Sequence, residues 1–87
     1  MAKYEILIKA SAAKEIEDIP NRKDRRRIIE RIQGLRDEPR PPGCQKLSGQ
    51  DKYRVRQGAY RIAYSIHDKS LVVQVVKIGH RKDVHRG

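Results

Sequence analysis

Aromatic residues are scarce. The 87 residues include no tryptophan and no phenylalanine, and the only aromatic rings besides the histidines are those of four tyrosines. Proteins that grip single strands by stacking need several exposed rings, so such a platform is not expected. Cysteine is nearly absent too, with Cys44 alone. That excludes an internal disulfide and fits a reducing cytoplasm. In a Pro/Gly loop without an activating partner, Cys44 is not read as a nucleophile. The three histidines and this cysteine lack the spacing of a zinc site. No glycine loop has the form of a phosphate cradle, and no acidic cluster would hold magnesium. No metal and no cofactor is therefore expected. No apolar run approaches the ~20 residues that span a bilayer. Met1 to Lys9 contains acid and breaks early, so no signal peptide is expected and the protein is placed in the cytoplasm. Acid is the last shortage: 11 Asp+Glu face 21 Lys+Arg, a net charge of +10. The partners such a balance favours are polyanions, namely nucleic acid, an acidic protein or a membrane surface.

The basic residues are placed with regularity. From Tyr53 to Ile66 apolar and polar residues alternate in two arms, the mark of strands with unlike faces. Gly58-Ala59 lies between the arms, and Gly at the first central position suits a type II′ turn. The turn sets the register. Gln57 faces Tyr60, Arg56 faces Arg61, Val55 faces Ile62, Arg54 faces Ala63 and Tyr53 faces Tyr64. One face then carries Tyr53, Val55, Tyr60, Ile62, Tyr64 and Ile66. The other carries Arg54, Arg56, Arg61, Ala63 and Ser65. Two arginines directly opposite one another, with a third beside them, repel. An anion seated on the face accounts for them, because the planar guanidinium fork matches phosphate. A solvated basic face with no ligand is the plain alternative.

The remaining segments supply a core for this hairpin. Lys3 to Lys9 alternates as a strand. Ser11 caps a short helix from Ala12 to Ile19, which Pro20 stops. Asn21 caps a second helix running to about Asp37, with Ile28, Ile29, Ile32 and Leu35 as its apolar stripe. Its basic run, Arg22, Lys23, Arg25, Arg26, Arg27 and Arg31, reads first as a solvated face and second as contact with nucleic-acid backbone. Glu38 to Asp51 is a Pro/Gly-rich loop with a brief extended piece at Lys46-Leu47. His67 to Ser70 is a turn and Leu71 to Ile78 the third strand of a meander. Centring that turn on Asp68-Lys69 pairs Ile66 with Leu71, Tyr64 with Val73 and Ile62 with Val75. Val72, Gln74, Val76 and Ile78 then join the arginine face, and Gly79 ends the strand. The expected fold is α+β in a single domain, residues 1–87: a strand, a helical hairpin, then a three-stranded antiparallel meander. The helices cover one sheet face and the basic site occupies the other. The tail from His80 to Gly87 folds back so that Arg81, Lys82 and His85 stand at the mouth of the site.

Cleavage of RNA without a metal needs a base for the 2′-hydroxyl, an acid for the leaving 5′-oxygen and cations for the charged transition state. Arginine, with a pKa above ~12, is a clamp rather than a base. His85 is the first candidate for proton transfer and His80 the second. His67, at the far end of the hairpin, is given no role.

These residues have a family likeness. Lys46-Leu47-Ser48-Gly49, Tyr53-Arg54-Val55-Arg56, Gly58 to Tyr64 and Val75 to His85 together resemble the RelE branch of the RelE/ParE toxin superfamily, over nearly the whole chain. The resemblance implies the toxin of a type II toxin–antitoxin pair, a ribosome-dependent endoribonuclease that cuts mRNA in the A site. Its implied partners are a cognate antitoxin, mRNA and the ribosome, with no membrane. It places Arg54, Arg56, Arg61, Arg81 and His85 in catalysis. Lys46, Lys52, Lys77, His80 and Lys82 are the candidates for further RNA contact. Two positions depart from the pattern: Arg54 and Arg56 stand where lysines are common, and His85 stands where a tyrosine is usual. The other activity within the superfamily is that of ParE-like members, which poison DNA gyrase without cutting RNA.

Overall fold

The computed structural model describes residues 3–47 and 51–80. Its elements are β1 (Glu5–Ile8), α1 (Ala10–Glu17), α2 (Arg22–Gly34), β2 (Gln45–Lys46), β3 (Lys52–Gln57), β4 (Tyr60–His67) and β5 (Val72–His80). They form one five-stranded sheet in the order β1-β5-β4-β3-β2. β1 runs parallel to β5, and the other neighbours are antiparallel. The α+β architecture expected from the sequence is present, with β2 as an added strand.

The β3–β4 hairpin has the expected register throughout, Gln57 to Tyr60 and Arg56 to Arg61 included. Gly58 supplies the turn's positive φ of 60°, as the first central position of a type II′ turn requires. Alternation then sorts the two faces. Tyr53, Val55, Ile62, Tyr64 and Ile66 are buried, together with Val73, Val75 and Ile78 of β5. The helices cover this face with Ala12, Ile16, Ile28 and Ile32, and the turns that follow them add Ile19 and Leu35. Ile29, expected on the buried stripe, is 40% exposed.

The helix ends differ by one or two residues from expectation. α1 begins at Ala10 without a side-chain cap, and Ser11 lies inside it. The reason is continuity with β1: the Lys9 amide still donates to Val75 O at 2.9 Å while the Lys9 carbonyl already accepts from Ala13. Asn21 caps α2 as expected, its Oδ1 accepting from the amides of Lys23 and Asp24 at 2.8 and 3.1 Å. Past Gly34 the chain tightens into turns, in which Leu35 is still buried.

The β4–β5 pairing corrects the expected register in two ways. First, the reversal is four residues long, Asp68 to Leu71. His67 pairs with Val72, Ile66 with Val73 and Tyr64 with Val75. Asp68 is held from outside the hairpin: Arg40 Nη2 donates to it at 2.9 Å and the Tyr4 hydroxyl at 2.7 Å. Leu71 closes the loop at φ 55°. A two-residue slip keeps side-chain parity, so Val73 and Val75 stay in the core. Second, the register shifts between Ala63 and Tyr64, leaving Val76 without a partner. Such a bulge reverses the faces beyond it. Ile78, expected on the arginine face, is therefore in the core at 6% exposure and pairs with Ile62. Gly79 does not end the strand; it lies opposite Arg61. β1 covers β5 only as far as Val75. Beyond that point the exposed edge is closed by α1, where Glu15 Oε1 accepts from the Ile78 amide at 2.8 Å.

Candidate nucleic-acid interface

Arg54 and Arg56 on β3 and Arg61 on β4 line one cavity of about 320 Å3, with Gln45 and Gly43 completing its wall. A smaller hollow of about 80 Å3 adjoins it at Arg56, Arg61 and the Gly58-Ala59 turn. The hairpin register makes this inevitable for two of the three arginines: Arg56 and Arg61 are direct cross-strand partners. Arg54 follows two residues back on the same side. The third neighbour in the Arg56–Arg61 row is Gly79, which adds no side chain. The bulge at Val76 is what puts that glycine there.

The electrostatics of the cavity are one-signed. Among the described residues the ion pairs are Arg40–Asp68 and Lys77–Glu15, and neither involves Arg54, Arg56 or Arg61. Among the described residues the one side-chain hydrogen bond made by these three guanidinium groups runs from Arg54 Nη2 to Gln45 Oε1 at 2.7 Å. Among the described residues no ion pair engages these three guanidinium groups, and their donors around one concavity match the geometry of an anion with several oxygens. Among the described residues no cluster of His, Cys, Asp or Glu could hold a metal ion.

The loop that carries Gly43 and leads to Gln45 is tied down by tyrosines. The Tyr64 hydroxyl, buried, donates to Pro39 O at 2.7 Å. Burial pushes the titration of that hydroxyl upward. Tyr53 stacks on Tyr64 with ring centres 6.0 Å apart, and Arg40 lies 5.2 Å over the Tyr53 ring while donating to its hydroxyl. Arg40 in turn pairs with Asp68, whose carboxyl is held below its usual range by the hydrogen bonds from Arg40 and then Tyr4. Tyr4, Tyr53 and Tyr64 thus serve as framework, while the partly buried Tyr60 lines the smaller hollow.

The other candidates divide. Lys52 alternates onto the arginine face and is exposed. Lys77 comes into line with Ala63, but its Nζ is drawn 3.2 Å from Glu15. Lys46 lies opposite Tyr53 and so has the parity of the helix-covered face. His80 pairs with Tyr60, and its ring meets the Tyr60 ring edge-on at 5.0 Å, again with the parity of that face. Arg81, Lys82 and His85 lie outside the described residues. Gln45 and Gly43 carry no signal in the sequence, because β2 is two residues long and its pairing with β3 is set by the loop before it.

Comparison with known proteins places this fold and site in a class. The sequence model of the family described as "ParE toxin of type II toxin-antitoxin system, parDE" matches residues 6–85. The chain belongs to that family, within the RelE/ParE superfamily of toxins. Among solved structures its likeness is to RelE. The archaeal RelE–RelB complex from Pyrococcus horikoshii OT3 superposes with a TM-score of 0.83 at 32% identity, over 91% of this chain and 96% of that one. The toxin–antitoxin complex RelBE2 from Mycobacterium tuberculosis gives 0.80 at 25%, over 93% and 94%. The isolated E. coli RelE toxin gives 0.76 at 24%, over 95% and 97%, which is a likeness of fold. Comparison with curated protein sequences found no match. The protein is thus a RelE-like toxin of a type II toxin–antitoxin system.

Proposed function

We propose that this toxin is a ribosome-dependent endoribonuclease that cuts mRNA in the A site without a metal. The observation that carries the reading is the cavity walled by Arg54, Arg56 and Arg61, none of which is in an ion pair among the described residues. In the reaction the 2′-oxygen attacks the adjacent phosphorus and its proton passes to a base. The bond to the 5′-oxygen breaks as that oxygen takes a proton. A 2′,3′-cyclic phosphate and a 5′-hydroxyl result. Charge builds on the non-bridging oxygens, where the three guanidinium groups stabilise it more than they stabilise the ground state. Arg81 adds a fourth cation, and His85 carries the proton transfer, since imidazole titrates near ~6.5. Lys52 extends the basic track for flanking phosphates.

The partner that restrains such a toxin is a cognate antitoxin, and several of the similar structures are RelE–RelB complexes. Among the described residues no helix is long and apolar enough to cross a membrane, in keeping with the cytoplasmic setting proposed for these partners.

A second reading, gyrase poisoning without nuclease chemistry, draws on the ParE description of the matching family model. Primer extension on translated mRNA separates the two. The nuclease reading expects A-site cuts that Arg61→Ala combined with His85→Ala suppresses. Uncut mRNA with accumulated gyrase-cleaved DNA would replace it with the second reading.

A further inference from the structure

Among the described residues Gln45 is the one neutral side chain on the wall of the arginine cavity. It reaches the site through a strand with only two cross-strand pairs, of which Gln45 with Arg54 is one. Its Oε1 accepts from Arg54 Nη2 at 2.7 Å. A guanidinium only donates. The amide oxygen is therefore turned to Arg54, and Gln45 keeps its –NH2, two further donors, beside the oxygen's second lone pair. We infer that Gln45 is a positioning residue: it holds the Arg54 guanidinium against repulsion from Arg56 and Arg61 without cancelling its charge, so that all three positive groups remain to meet a phosphate. The identity of that phosphate, in RNA, rests on the proposed function above; the restraint on Arg54 does not.

The choice of an amide follows from two opposed demands. An unrestrained arginine loses rotamer freedom when it binds, and that loss weakens binding. A carboxylate at position 45 would restrain Arg54 more strongly, through a charge-assisted bond, but would remove one net charge from the site and turn acceptors toward the phosphate. An apolar residue would leave Arg54 free. Glutamine restrains while leaving the field positive.

The test compares the full chain with Gln45→Ala, Gln45→Glu, Arg54→Ala and the Gln45→Ala/Arg54→Ala pair. Nitrogen-15 NMR of the arginine side chains reads the restraint directly: slow rotation at Arg54 Nη in wild type and Gln45→Glu, averaging in Gln45→Ala. The second arm is binding of a short single-stranded RNA carrying a 2′-deoxy residue at the scissile position. Gln45→Ala weakens it about tenfold. Gln45→Glu weakens it further and lowers the salt slope by about one phosphate contact. In the Arg54→Ala background Gln45→Ala has no further effect, and no variant melts below wild type. Equal loss in both backgrounds, or an Arg54 Nη already averaging in wild type, overturns the inference. Were wild type to bind this RNA no better than a triple Arg54/Arg56/Arg61→Ala variant, the RNA reading would fall, and the NMR arm would still decide whether Gln45 holds Arg54.

Discussion

Replacing Arg61 by glutamine should move chemistry and folding in opposite directions. Glutamine keeps most of the side-chain stem, so little packing is lost. What disappears is a positive charge directly across the sheet from Arg56. Like charges opposite one another in an antiparallel pair destabilise by about 0.2–1 kcal/mol. For a domain of this size 1 kcal/mol corresponds to about 4–8 °C in Tm. The variant should therefore melt about 1–8 °C higher than wild type, or at worst level with it. Cleavage should fall by about 10²–10³, the usual consequence of removing one preorganised donor from a developing oxyanion. Thermal denaturation and primer-extension rates on the same preparations check both halves. A Tm that drops by several degrees would show that Arg61 holds the sheet together. Cleavage within a few-fold of wild type would show that it does not meet the phosphate. Either result refutes the reasoning, since an arginine row that serves neither folding nor an anion has no account here.

Three further outcomes test the framework beneath the site. Tyr64→Phe leaves the buried Pro39 carbonyl without its donor and should cost about 1–3 kcal/mol in urea unfolding; a neutral result would mean the loop is held otherwise. Ile78→Ala should cost about 2–5 kcal/mol because the bulge at Val76 puts Ile78 in the core; unbroken alternation would have left it on the open face, where the change would be slight. Asp68→Asn tests the Arg40 pair by pH. The Asp68 carboxyl titrates below its ordinary 3.8 in the folded protein, so its stabilisation is complete above that value and fades as pH falls through the depressed one. The Tm difference between wild type and Asp68→Asn should hold from neutral pH down to about 5 and shrink below 3.8; a difference that persists in strong acid would assign it to something other than the ionised carboxylate.

The hairpin was legible because its information is local. Alternation and a glycine at the first turn position decide which residues face each other, and the arginine row follows from nothing else. Asn21 was legible as a cap for the same reason. Ser11 was not, because the extended residue at the head of α1 is Lys9, two positions earlier, held there by its amide's bond to Val75 of β5, and that pairing is not local in sequence. The β4–β5 turn was misread by two residues because Asp68 is set by Arg40 and Tyr4, which approach from other elements. The bulge has no marker in the sequence: Val75, Val76 and Ile78 are equally apolar, and only the need to bury Ile78 beneath α1 selects one of them to stand out of the ladder. Gln45 and Gly43 escaped for a related reason, since a two-residue strand has no period to read.

The ends left by the toxin on translated mRNA bear most directly on the phosphate-clamp account. It expects A-site fragments that carry a 5′-hydroxyl and, upstream, a 2′,3′-cyclic phosphate, with no cut when the scissile residue lacks its 2′-hydroxyl and strong suppression in Arg56→Ala/Arg61→Ala. Fragments with 5′-phosphates, or mRNA that stays whole while the toxin still arrests growth, would contradict it.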